Sequence, residues 1–215
     1  MSENANFAFA LESAGIKFIG PTVENLSVFG DKTQARQTAE RMNVPVVPGS
    51  ANSVATVQEA RDYIQTIGYP VIAKAAMGGG GRGMRVVTKE EDLEQLFTTA
   101  SNEAYNAFGD GRMFIERFVA NPRHIEVQCI GDGTGDVIHL YDRDCSVQRR
   151  HQKVIETAPA LDLPPATRKK MFDDAVRLLS DVKYKNAGTL VVVQIQVEMA
   201  RIVGSAFGIP NFLLL

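Results

Sequence analysis

Five glycines in six consecutive positions, Gly78-Gly79-Gly80-Gly81 and then Gly83 beyond Arg82, constrain this chain more than any other feature. Each glycine gives up roughly 0.5–1 kcal/mol of conformational entropy relative to alanine, so the backbone there must do something that a side chain would prevent. The preceding Tyr69-Pro70-Val71-Ile72-Ala73-Lys74 reads as a buried strand and Arg85-Val86-Val87 as its partner, which makes the glycines the tip of a β-hairpin. Backbone N–H groups at such a tip can form a nest for an anion, and Lys74, Arg82 and Arg85 crowd it with positive charge. A hairpin that closes over phosphates is the reading that results. A Walker A loop would need Gly-Lys-Ser/Thr leading into a helix, and a dinucleotide fingerprint would need a helix after its third glycine, whereas a strand follows here. A ligand-free surface hairpin is the plain alternative, and three cations at one glycine tip count against it.

The 215 residues, 45% of them hydrophobic, are enough for one large domain or two small ones with real cores. No apolar run approaches the roughly 20 residues that a membrane span requires. The formal charge of −2, with basic residues scattered among acidic ones, gives no nucleic-acid surface. Cys129 and Cys145 fall in apparent strands with neither zinc-site nor disulfide-framework spacing, and are expected to be reduced thiols of an intracellular protein. Met1-Ser2-Glu3-Asn4 lacks the cationic start and apolar segment of a targeting peptide.

Along the chain, Phe7 to Ala14 is predicted to be a helix ended by Gly15, and Ile16 to Pro21 a strand. A helix is expected from Asp31 to Met42 with Asp31 as its cap, followed by an extended linker, Val44-Pro45-Val46-Val47-Pro48-Gly49. A second lobe is expected from about Ser50, with a helix Thr56–Ile67, the glycine hairpin, a helix Glu90–Phe108 and a strand Met113–Val119. From Arg123 the pattern turns to alternating strands, Ile125–Ile130 and Val137–Tyr141, joined by the turn Gly131–Asp136. Such alternation implies a sheet with one buried face. A helix Pro165–Val182 and a strand resuming at Asn186 follow, with no internal repeats.

A second dense cluster is Asp144-Cys145-Ser146-Val147-Gln148-Arg149-Arg150-His151-Gln152-Lys153-Val154-Ile155-Glu156. Arg149, Arg150, His151 and Lys153 would repel one another in an apolar core and need a polar cleft, a solvated turn or an anionic ligand. Beside the glycine hairpin, the ligand is the better reading.

Lys74 with Gly78–Met84, the string Asn121-Pro122-Arg123-His124-Ile125-Glu126-Val127-Gln128, and Arg143–Lys153 together resemble the ATP-grasp part of biotin carboxylases, over about Ser2 to Thr189. Within that family Ala107–Gly111 and His139–Cys145 look most like pyruvate carboxylase rather than the acyl-CoA carboxylases. The resemblance implies an α/β (α+β) chain of ATP-grasp fold, with a glycine-hairpin lid lobe and a larger, incomplete mixed-sheet lobe. It divides the chain into the end of an N-terminal subdomain with its linker, 1–49, a lid lobe, 50–119, a sheet lobe, 120–189, and a divergent tail, 190–215.

By the same resemblance Lys32 and Lys74 contact ATP phosphates, where a compact ammonium suits a point-charge role. Gly80 and Gly81 supply lid backbone contacts. Glu116-Arg117-Phe118-Val119 forms the hinge that reads adenine, and His124, Gln148 and His151 match further nucleotide contacts. Lys153 matches the residue that holds bicarbonate, stabilising the anionic carboxyphosphate formed when bicarbonate attacks the γ-phosphate. Biotin on a carrier domain is the implied acceptor, and a homo-oligomer or other carboxylase subunits are implied partners. The compartment that the resemblance implies is the cytoplasm or the mitochondrial matrix.

After Thr189 the family pattern breaks. The family places Mg²⁺ or Mn²⁺ ligands just beyond the threonine, but Leu190-Val191-Val192-Val193-Gln194 contains no carboxylate, and Val191 stands where a Glu is expected. Ile195-Gln196-Val197-Glu198 resembles a later segment whose Glu is proposed as the base toward bicarbonate, with Met199 in place of the usual His. The chain is therefore expected to lack family segments at both ends, to leave apolar faces exposed, and to have impaired turnover while nucleotide binding survives. The alternatives are a non-catalytic nucleotide-binding or oligomerisation module that pairs with full-length biotin-dependent carboxylase, and an incomplete product with no activity of its own.

Overall fold

A computed structural model describes residues 4–76, 83–149, 152–195 and 199–204 of the chain. It divides into two compact units, one formed by Val47–Ala120 and the other by Met1–Val46 together with Asn121–Leu215.

The smaller unit is a three-stranded antiparallel sheet in the order β2-β1-β3, with β1 at Val71–Ala75, β2 at Met84–Val87 and β3 at Met113–Arg117. The period of two along β1 buries Val71, Ala73 and Ala75. These pack with Met113 and Ile115 of β3 and with Ile64, Phe97 and Ala100 of helices α4 (Val57–Ile67) and α5 (Leu93–Phe108). Ile72 and Lys74 fall on the opposite face. Thr56 starts α4 with a capping box, its hydroxyl accepting from the Glu59 N–H while the Glu59 carboxylate accepts from the Thr56 N–H. At the base of the hairpin the Ala75 N–H donates to the Gly83 carbonyl at 3.0 Å. Gly83 sits at φ +63°, and a Cβ there would lie 3.2 Å from the Ala75 Cβ and 3.3 Å from the Ala104 Cβ, so this last glycine of the run is demanded by conformation and by space.

The larger unit is a five-stranded sheet in the order β6-β5-β4-β7-β8, with β4 at Arg123–Asp132, β5 at Val137–Arg149, β6 at Gln152–Thr157, β7 at Lys185–Ile195 and β8 at Met199–Gly204. Helix α6 (Pro165–Asp181) packs Met171, Phe172, Leu178 and Leu179 against Ile125, Val127 and Cys129 of β4. Helices α1 (Ala5–Ser13), α2 (Val23–Gly30) and α3 (Lys32–Arg41) belong to the same unit, and Phe29, Ala39 and Val44 complete this core. As expected, Asp31 caps α3, its carboxylate accepting from the Gln34 N–H at 3.1 Å.

Two local expectations are corrected. Residues 16–21 form no strand; Ile16 and Ile19 are exposed and the segment has no ladder partner among the described residues. The larger sheet, expected to mix strand directions, pairs antiparallel at every ladder among the described residues; β4 and β5 follow one another through the short turn 133–136, a connection that permits no parallel pairing. Beyond Thr189, where the family motif breaks, β7 continues to Ile195 and pairs with β8. Among the described residues no helix is long and apolar enough to cross a membrane.

Candidate functional site

In the smaller unit Lys74 and Glu116 meet on the sheet face opposite the helices. Lys74 lies opposite Phe114, and Ile72 opposite Glu116, so the two charges are diagonal neighbours on adjacent strands. The Lys74 ammonium donates to a Glu116 carboxylate oxygen, with the side chains 17% and 12% exposed. An ammonium has three donors and this contact uses one, so the pairing aims Lys74 without exhausting it. Arg117 and Phe118 of the expected hinge donate their backbone N–H groups to the carbonyls of Pro48 and Pro70, at 2.8 and 3.0 Å. Those two donors are committed within the unit, and Val119 follows half-buried.

In the larger unit the polar face of the sheet carries a second group. Alternation along β4 turns Ile125, Val127 and Cys129 toward the core, and His124, Glu126 and Gln128 to the other side. Arg143 on β5 stands directly opposite Glu126, while irregularities in the β5–β6 register between Asp144 and Gln148 bring Gln148 opposite Lys153. Glu126 accepts from Arg143 at 2.7 Å on one oxygen, and from His124 Nε2 at 3.1 Å and the Lys153 ammonium on the other. Gln148 Nε2 donates to the Cys145 carbonyl at 2.8 Å and stands 3.1 Å from His124 Nδ1. A carbonyl can only accept, which fixes the amide orientation; His124 Nδ1 is then the acceptor and Nε2 carries the proton given to Glu126.

Glu126 is 1% exposed. Burial, the largest single influence, pushes its pKa up, but hydrogen bonds from His124, Lys153 and Arg143 together outweigh it and hold the carboxyl far below the ordinary glutamate range. Arg143 Nε lies 2.8 Å from a Glu156 oxygen but off the hydrogen-bond direction. Burial raises both cysteine thiols to about 12, so neither Cys129 nor Cys145 is a thiolate near neutrality.

Of the residues singled out from sequence, the structure brings together Lys74 with Glu116, and His124 with Gln148 and Lys153 through Glu126. Lys32 opens α3. Gly80, Gly81, His151 and Glu198 lie outside the described residues. Glu126 and Arg143 were not singled out, although both sit inside quoted motifs; the spacing His124-x-Glu126, two positions apart on a strand, was the available signal.

The described residues do not fit a divalent cation. Leu190 and Val191 are apolar and buried, Val191 sits directly opposite Glu126, both Glu126 oxygens are committed to cations, and no group of three metal-ligating side chains occurs among the described residues.

A hairpin-bearing antiparallel lobe and a larger sheet with a cationic polar face define an ATP-grasp protein. The description "Carbamoyl-phosphate synthase L chain, ATP binding domain" matches residues 31–201, and the chain belongs to that family. Its sequence is 54% identical to the pyruvate carboxylase of Aspergillus terreus over 88% of this chain, which spans only 16% of that relative. Its fold superposes with TM-score 0.93 on the biotin carboxylase of Campylobacter jejuni, solved as a β,γ-ATP complex, at 45% identity over 98% of this chain and 47% of that one. The biotin carboxylase domain dimer of Hydrogenobacter thermophilus 2-oxoglutarate carboxylase, solved with MgADP, ADP and bicarbonate, matches at 0.92 and 40% identity over the same shares. The likeness to biotin carboxylases, and to pyruvate carboxylase among them, is thus carried by motifs, overall sequence and fold.

Proposed function

We propose that this chain binds ATP as part of the biotin carboxylase component of a pyruvate-carboxylase-like ligase, whose reaction joins ATP, bicarbonate and carrier-bound biotin to give carboxybiotin. The observation that carries the proposal is the polar face on which Gln148, His124, Glu126 and Lys153 form one hydrogen-bonded chain. In this reading Lys74 and Lys32 attract the phosphates, the 116–119 segment receives adenine, and His124 and Gln148 contact the nucleotide. Gly80, Gly81 and His151 are further contacts. Lys153, 37% exposed, turns its remaining ammonium donors to bicarbonate. A bicarbonate oxygen attacks the γ-phosphorus, the bond to the β-phosphate oxygen breaks, and carboxyphosphate and ADP result; Glu198 is the proposed base. No step is routed through a metal ion, because the described residues do not fit one.

Partners of this reading are bicarbonate, a biotinylated carrier domain, and a second copy or other carboxylase subunits, in the cytoplasm or the mitochondrial matrix. The apolar Val191 opposite Glu126 favours a second reading, a nucleotide-binding module without turnover. Calorimetric titration with ATP, with and without Mg²⁺, tests both. Lys74→Ala should weaken ATP binding by about 1.5–3 kcal/mol, roughly tenfold to a hundredfold, while Lys153→Ala leaves it nearly intact. Equal losses at both positions would sink the assignment. Binding indifferent to Mg²⁺, without bicarbonate-dependent ATP turnover, selects the module.

A further inference from the structure

Glu126 is the one carboxylate of the larger unit, among the described residues, that is buried and shared by three basic side chains from three strands, and the proposed reaction gives it no role of its own. It is held on the polar face of the sheet at 1% exposure, opposite Arg143 on one side and Val191 on the other. Its capacity is divided unevenly. One oxygen takes Arg143 at 2.7 Å, whereas the other is shared between His124 Nε2 at 3.1 Å and the Lys153 ammonium. A carboxylate oxygen serving two donors distributes its charge between them, so whatever draws Lys153 away from that oxygen leaves more of it for His124.

We propose that Glu126 is a positioning residue that links the bicarbonate end of the site, Lys153, to the nucleotide end, His124 and Gln148, through that single shared oxygen. The inference rests on the roles proposed above for Lys153 and His124. An anion that takes the remaining donors of the Lys153 ammonium weakens the hydrogen bond that the ammonium gives Glu126, and the shared oxygen then accepts more strongly from His124. The imidazole becomes a better acceptor at Nδ1, where Gln148 donates at 3.1 Å. Glu126 does not itself take a proton, because three donors hold it ionised. The Gln148 amide is locked by the Cys145 carbonyl at 2.8 Å, so the change at His124 is passed on rather than absorbed by an amide rotation. Any coupling of this kind is reciprocal: nucleotide contact at His124 must alter the hold on bicarbonate at Lys153 by the same factor.

The test is ¹⁵N NMR of the histidine rings of the full chain, which has three histidines, during titration with bicarbonate and separately with ATP. In the unmodified protein bicarbonate should shift the His124 Nε2 resonance. Lys153→Ala should abolish that shift, and Glu126→Gln should abolish it in a folded protein. A folded Glu126→Gln protein with the full bicarbonate response would overturn the link, as would an unmodified protein in which bicarbonate shifts the Lys153 ammonium resonance but not His124. If Glu126→Gln does not fold, the unmodified chain decides: the Lys153 and His124 signals must move with one midpoint, and different midpoints overturn the proposal. The ATP titration separates failures. A His124 ring unmoved by ATP but moved by bicarbonate refutes the nucleotide role and leaves the Glu126 link standing.

Discussion

At the scale of single residues, burial and charge decide what each group can do. Glu126 is buried and ionised only because three donors converge on it, and removing it would leave Lys153 and His124 without the acceptor they share and Arg143 with only Glu156 beside it. Cys129 and Cys145 show the opposite outcome, since burial raises each thiol to about 12. A thiol raised above its ordinary 9.0 contributes stability that is complete below that pH and is lost as pH rises toward 12. Both cysteines should therefore resist iodoacetamide at neutral pH in the folded chain and react fully in urea, and the urea midpoint should fall on titration through that alkaline window. Rapid labelling of the native chain, read by mass spectrometry, would contradict their burial.

At the scale of elements, short-range chemistry sets the ends and long-range pairing sets the rest. Thr56 and Glu59 satisfy each other's backbone donors at the start of α4, and the Glu59 carboxylate also accepts from the Ala55 N–H at 2.7 Å. Thr56→Ala should lower stability by about 1 kcal/mol, measured as a shift in urea midpoint at constant m-value. No change would mean that the box is not formed in solution. The cap at Asp31 was legible because a cap needs only residues three apart, whereas Thr56, read as the first helical residue, is the cap itself. Helix α2 went unanticipated although Thr22 caps it, accepting from the Asn25 N–H at 3.1 Å, because eight residues carry too little periodicity to stand out. Ile16–Pro21 erred the other way. An apolar run is only the potential for a strand, and a strand exists where a neighbour supplies the ladder.

At the scale of the whole molecule, the two units carry separate cores, one centred on Phe97, Ile64 and Ile115 and the other on Leu178, Leu179 and Tyr184. Each has its own sheet and its own helices, so two unfolding transitions are expected by scanning calorimetry. Phe97 is 2% exposed, and Phe97→Ala should cost about 3–5 kcal/mol in the smaller unit and lower one transition while leaving the other in place. A joint shift of both would show that the units unfold as one body. Ile138, Leu140, Val154, Ile155 and Leu161 are exposed on the larger unit.

The sequence by itself determined most of the elements, though not α2 or the segment 16–21, and the chemical vocabulary. Glycines at a hairpin tip, caps three residues apart and strands of alternating polarity are short-range signals, and the motifs around Lys74, His124 and Lys153 were dense enough to carry the family. Tertiary structure alone decided which charges meet. Lys74 and Glu116 are 42 residues apart and pair because β1 and β3 are neighbours in register. Glu126, Arg143 and Lys153 converge because β4, β5 and β6 lie side by side with a register shift that no local pattern announces. The reason is physical: a side chain's face follows from its own strand's period of two, but its partner follows from strand order and register, which are set by packing across the whole sheet.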